Sequence, residues 1–191
     1  MAGREERPIL KSRDRMMKSG KNKYVYITLA ALFVAVAALA LLNRGDADLR
    51  RALGENREFL LLVDGGHAAT VGLQDLLDLG PEEFSTALAT SLAAPREVSL
   101  RGVELRLLLE AYGIDFAGAS HVTVTGLDSY YSPLAVAEVD AEGVVYICFE
   151  MDGETLKPQD EGGYGPFLMV IRGSRFAQRW CKYVESVDVV H

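Results

Sequence analysis

The chain has 191 residues, 49% of them hydrophobic and 25% charged, at a net charge of −7, which is enough for one domain of about 140 to 150 residues and an appendage. Eight of its cations and three of its acids precede residue 24, so 12 basic and 24 acidic residues remain beyond it, a net charge of −12 that argues against general nucleic-acid binding. Cys148 and Cys181 stand 33 positions apart with no Cys-x-x-Cys and no histidine at metal-ligand spacing, which excludes the common zinc and dithiol signatures and leaves both a disulfide and a pair of buried free thiols open.

Residues 1–23 form a basic segment. Tyr24 to Leu42, "YVYITLAALFVAVAALALL", holds 19 positions without a charge, proline or glycine, and at about 1.5 Å per residue it reaches roughly 28 Å, one bilayer core. The excess of lysine and arginine before it predicts a cytoplasmic N-terminus and an extracytoplasmic remainder. A cleaved signal peptide competes with a signal anchor here, because the run ends in small residues. The long basic region and an apolar run beyond the usual 7 to 15 or so favour the anchor. Asn43 to Arg57 reads as a polar tether, and the domain proper is predicted over residues 58–191.

"EFLLLVDGGHAATVGLQDLLDLG" predicts a strand, a turn at Gly65-Gly66, a short second strand and a helical turn ended by Gly80 and Pro81. His67, beside that turn, reads as solvated rather than as a ligand. The next piece, "EEFSTALATSL", carries a helix start at Pro81 to Glu83 and the alternation of a strand over Phe84, Thr86, Leu88 and Thr90, so both readings stand. In "SLRGVELRLLLEAYGI", Gly102 marks a turn and Leu105 to Tyr112 a helix ended by Gly113. From His121 the pattern is mostly strand: "HVTVTG", "SPLAVAEV", "GVVYICFEM", a hairpin turn at Asp152-Gly153, then "GPFLMVIRG" and "YVESVDVV". Many strands, two or three short helices and no βαβ alternation predict an α+β domain of strand-rich mixed sheets behind one N-terminal transmembrane helix. No Gly-x-Gly-x-x-Gly, Walker lysine motif, Gly-x-Ser-x-Gly elbow or His-Glu-x-x-His occurs. Acid pairs such as Asp46 and Asp48, or Asp152 and Glu154, fall in the tether or at a turn and read as solvated.

Four pieces in order, "LRGVELRLLLEAYGI", "GLDSYYSPLAVAE", "FEMDGETL" and "GPFLMVIRG…RWCKYVESVDV", resemble the oxidoreductase molybdopterin-binding domain family, whose fold is that of sulfite oxidase catalytic domains. The likeness covers roughly Phe59 to Val189. It implies a molybdopterin cofactor whose molybdenum takes a thiolate from a cysteine on the strand before the Gly-Val-x-Leu helix, here within "EFSTALATSLAAPREVSL". That stretch holds no cysteine; Ser85, Thr86 and Ser91 offer only hydroxyls, of much higher pKa than a thiol. The chain is thus similar to a short, anchored, cysteine-less branch of the family.

The resemblance also implies that the loop between the last two strands wraps an anionic cofactor. Lys182 matches the family's lysine there, and Arg172, Gly173, Arg175, Gln178 and Arg179 form the rest of the loop. Cations with a glycine that admits close backbone approach suit a flat anion, and Trp180 offers a stacking face. An ordinary exposed turn with core aromatics accounts for the same residues. Tyr130, matching a family position on the substrate channel, reads as either a channel or a core tyrosine, with Ser129 in place of the family's glycine. Two functions follow as expectations. One is a membrane-anchored extracytoplasmic oxidoreductase-family domain holding a molybdopterin-type cofactor without the cysteine. The other is a non-catalytic binding or assembly module on the same fold, for a small anionic ligand or a membrane partner.

Overall fold

The apolar run folds as one helix. In the computed structural model, which describes residues 13–42, 44–90, 93–174 and 177–191, α1 spans Arg13–Leu42. Its portion Lys23–Leu41 is long and apolar enough to cross a membrane. Its side chains from Tyr24 to Leu41 are almost all uncovered by protein. The chain divides into two units, one ending at Asp48 and one over Leu49–His191.

The stretch expected as a tether is helical: α2 spans Arg44–Asn56, and from Leu49 onward it belongs to the second unit. Leu53 is buried, and Arg50 Nε lies 3.2 Å from Glu185 Oε1. The compact domain therefore begins at Leu49 rather than at Glu58. An apolar pair at i and i+4, Leu49 and Leu53, in a polar stretch gives the helix one narrow face, and Leu53 buries it.

The domain is built on two sheets. The first contains β1 (Glu58–Val63), β2 (Gly66–Gly72), β5 (His121–Gly126), β6 (Tyr131–Leu134) and β11 (Val184–Val190), in the order β2-β1-β11-β5-β6. The second contains β3 (Glu82–Thr90), β4 (Ala93–Glu104), β7 (Val145–Met151), β9 (Leu168–Ile171) and β10 (Cys181–Lys182), in the order β10-β9-β7-β4-β3, with β8 (Glu154–Thr155) paired to β7. The first and last strands, β1 and β11, pair in parallel, with Leu61 opposite Val187; the other pairs are antiparallel. A parallel pair needs a long crossover, and nearly the whole domain supplies it.

Burial follows covering. β5 alternates half-buried and buried residues, as a strand with one covered face does, whereas Val145 to Phe149 on β7 and all of β9 are buried on both faces. α4 (Leu105–Ala111) buries Leu105, Leu108 and Leu109 and leaves Leu107 outside, the expected helical stripe. Between them run α3 (Leu73–Asp78), which buries Leu76, and α5 (Val136–Asp140), which buries Val139.

Four local expectations meet the structure here. Residues 82–90 form a strand with Phe84 and Leu88 buried, so the alternation outweighs Pro81 and its acids. Gly102 does not turn the chain: it lies inside β4 at a register shift opposite Cys148, where a Cβ would stand 2.4 Å from the Ile147 carbonyl oxygen. The glycine permits that close approach between strands. "SPLAVAEV" is not one strand, because Glu138 Oε2 accepts the Ala135 N–H at 3.0 Å and starts α5. His67 is exposed, its Nε2 3.1 Å from Thr70 Oγ1, as its solvated reading expects.

Candidate functional site

After Ile171 the chain leaves the second sheet at Arg172-Gly173. It passes through a single 3-10 turn, Ala177–Arg179, pairs again as β10 and then enters the first sheet as β11. The segment joins the two sheets, so its side chains point several ways. The structure brings Gln178, Trp180 and Lys182 together with Tyr130 around a pocket of about 290 Å3. Leu88, Met151 and Leu168 supply its apolar wall, and Asp128, Tyr164 and Ala177 complete the lining.

Tyr130, Gln178 and Lys182 are each held by a polar or cation–π contact, and Trp180 by burial. Tyr130 ends a turn in which Ser129 N–H donates to Gly126 O (2.8 Å), Tyr130 N–H to Asp128 Oδ1 (3.1 Å) and Gly126 N–H to Tyr130 O (2.9 Å). Ser129 stands at φ 64°, the left-handed conformation that favours glycine, so the turn keeps a glycine-type geometry without the glycine. Arg50 of α2 donates to Ser129 Oγ (2.8 Å) and to Leu127 O (3.2 Å) and braces it. At 41% exposure Tyr130 is no core residue; its hydroxyl donates to Gln178 O at 2.5 Å and ties the turn to the 3-10 segment. Trp180, 4% exposed, is both core and pocket wall, and its Nε1 has no hydrogen-bond partner among the described residues. Lys182 Nζ stands 4.3 Å from the centre of the Tyr164 ring.

Other residues of the loop go elsewhere. Arg172 lies 5.2 Å over the Phe84 ring and hydrogen-bonds Tyr146, whose hydroxyl donates to Glu82; it does not line the pocket. Gly173 turns the chain at φ 77°, with no protein atom within 4 Å of where a Cβ would stand, and it is not among the residues lining the pocket. Arg179 forks onto Glu138 at 2.6 and 2.9 Å and onto Pro133 O at 3.1 Å, which fastens the 3-10 turn to β6 and α5. That fork, first of all causes, holds the Glu138 carboxyl below its usual range. Arg175 and Ser91 lie outside the described residues.

The register disposes of the cysteines. Gly102, Cys148, Leu168 and Lys182 form one row across β4, β7, β9 and β10, and Ile147, Met169 and Cys181 form the next. Adjacent rows face opposite sides of a sheet, and two strand spacings amount to about 10 Å, so the two thiols cannot bond. Both are free and buried. Burial pushes the Cys148 thiol far up; burial first, and then Asp128, push Cys181 up to about 12. Neither lines the pocket, to which the stretch expected to carry a thiolate contributes Leu88. Ser85 and Thr86 are absent from the lining, and no group of three His, Cys, Asp or Glu residues among those described could hold a metal ion.

Sequence reasoning missed Leu88, Met151, Tyr164 and Leu168, and gave Asp128 no role. Tyr164 carried a signal: it sits between Gly163 and Gly165, which pack against the Lys157 and Leu156 carbonyls, in a loop pinned by Tyr183 N–H to Tyr164 O at 3.1 Å. The apolar residues had none, since a pocket wall and a core face share one pattern.

The family model of the oxidoreductase molybdopterin binding domain matches residues 66–191. Among solved structures, the sulfane dehydrogenase SoxCD from Paracoccus pantotrophus is similar, with a TM-score of 0.56 and 19% identity over 70% of this chain and 38% of that one. At that identity the likeness is one of fold, and the matched part spans well under half of the relative. No curated protein matches the chain.

Proposed function

Because the chain belongs to the oxidoreductase molybdopterin binding domain family and has its sulfite-oxidase-like fold, we propose that it is a membrane-anchored, extracytoplasmic binding domain whose pocket takes a small, flat anion. The observation that carries this is the wall itself: Trp180, Tyr130 and Tyr164 are aromatic, Lys182 is cationic, and Leu88 stands in the stretch where a thiolate would be needed.

The family's cofactor fits in part only. A flat, anionic organic group suits an aromatic wall with one lysine, and about 290 Å3 lies at the lower edge of small-molecule sites. Molybdenum does not fit, because a hydrocarbon offers no lone pair and both thiols are buried out of the lining. No oxygen-atom transfer is therefore derived for this chain, and the binding-module function is the one supported.

The anchor is supported by the apolar helix, and the outer location by eight cations against three acids before it. The test is a paired molybdenum and pterin assay on intact protein purified from its native membrane. Folded protein with no molybdenum agrees with the proposal; one molybdenum and one pterin per chain overturns it and returns the chain to the cofactor-bearing reading.

A further inference from the structure

The pocket does not end at Tyr164. Met151 and Tyr164 also line a second, more open hollow of about 320 Å3, whose lining includes Asp152, Glu154 and Lys157. Because they share these two side chains, the two hollows adjoin and are taken together as one groove.

Beyond residue 24 the chain holds ten arginines and only two lysines, and both lysines are on this groove, Lys182 in one hollow and Lys157 in the other. Arg50, Arg96, Arg101, Arg106 and Arg179 are paired with carboxylates; among the described residues neither lysine is. Lys182 Nζ lies over the Tyr164 ring, and Gly165 N–H donates to Lys157 O at 2.8 Å, which ties the Lys157 main chain to the residue after Tyr164. Two of the groove's acids are engaged: Asp152 Oδ2 takes Arg96 at 2.8 Å, and Asp128 Oδ1 takes the Tyr130 N–H at 3.1 Å. Glu154 has no partner among the described residues and stands at the Lys157 end.

Resting on the reading of the first pocket as an anion site, we infer that the ligand is an elongated dianion, with one anionic group at Lys182, a flat middle crossing Tyr164 and a second anionic group at Lys157. In a domain of net charge −12, two lysines with no ion-pair partner among the described residues stand on one groove beside Asp128 and Glu154, and a monoanion would answer only one of them.

The test is calorimetric titration of the full chain in detergent with two matched probe pairs: terephthalate against benzoate, and biphenyl dicarboxylate against biphenyl monocarboxylate. In at least one pair the dianion is expected to bind about tenfold tighter than its monoanion. Lys157→Gln should erase that gain and leave the monoanion unchanged, Lys182→Gln should weaken both, and Glu154→Gln should tighten the dianion alone. Unchanged thermal midpoints show that the variants fold. Monoanion binding that needs Lys182, with no gain for either dianion or no effect of Lys157→Gln, overturns the elongated ligand and leaves the pocket reading standing. Binding of no probe overturns both.

Discussion

Leu88 is 6% exposed on β3 and lines the pocket. The two native thiols are fully covered by protein and have raised pKa values, so the thiolate that reacts is scarce and out of reach. Folded protein is expected to give no titratable thiol with an aromatic disulfide reagent, and denatured protein two. Leu88→Cys should add one thiol that titrates in the folded state, at a stability cost of about 1–3 kcal/mol for the lost side-chain volume. If the folded Leu88→Cys variant gives no reaction, the pocket is closed to solutes. Arg179 illustrates a cation with a structural occupation. Because the pKa of Glu138 is lowered in the folded state, the pair stabilises the fold above the ordinary carboxylate value of 4.5 and loses that effect as pH falls through the lowered one. Glu138 and Arg179 are both partly exposed, so the effect is small, about 0.2–1 kcal/mol. Thermal melts of wild type and Glu138→Gln should differ by a constant amount near neutrality and converge in acid; a gap that widens in acid contradicts the assignment.

At the scale of elements, α2 braces the site although none of its described residues lines the pocket. Arg50 holds Leu127 and Ser129, the turn they form carries Asp128 and Tyr130, and the Tyr130 hydroxyl holds Gln178 two residues from Trp180. Arg50→Ala removes charge-assisted bonds and an ion pair to Glu185 from a partly exposed position, which should destabilise the domain by about 1–2 kcal/mol. Trp180 is the chain's single tryptophan, so loosening of this path should appear as a changed indole emission below the melting range. Identical emission in the variant would separate the brace from the pocket. This brace also marks where the sequence stops being legible. β5 and α4 are legible because each repeats an apolar residue at the period of its own backbone, and β1 and β7 because each is a short continuous apolar run; the loop after β9 is singled out by the family resemblance and by its cluster of cations. α2 was read as a tether because one buried leucine in thirteen residues leaves almost no period. The same limit hid the occupations of Arg172 and Arg179, since the partners that claim them, Phe84 with Tyr146 and Glu138, are distant in the chain.

At the scale of the whole molecule, charge is divided along the chain: an excess of five cations before the apolar helix and a net −12 beyond it. An anionic ligand approaching the domain beyond the helix meets a repulsive field and finds attraction only at close range. Its association rate is therefore expected to rise as salt is raised to about 0.15 M, where the Debye length is near 8 Å, opposite to the usual steering of unlike charges. A rate that falls with salt would mean that the lysines dominate even at a distance. The same division is the ground for the orientation proposed for the chain, and buried native thiols make that orientation easy to test. With Asp48→Cys beyond the helix, an impermeant maleimide added to intact cells should label the full-length chain in the membrane fraction. With Ser19→Cys before the apolar run Tyr24 to Leu42, labelling should require lysed cells. The reverse pattern would refute the outer location. Labelled chain recovered in the soluble fraction, shortened by the length of its leader, would refute the anchor instead, because a cleaved signal and a signal anchor share the same basic start and apolar core and differ only in whether the helix stays attached.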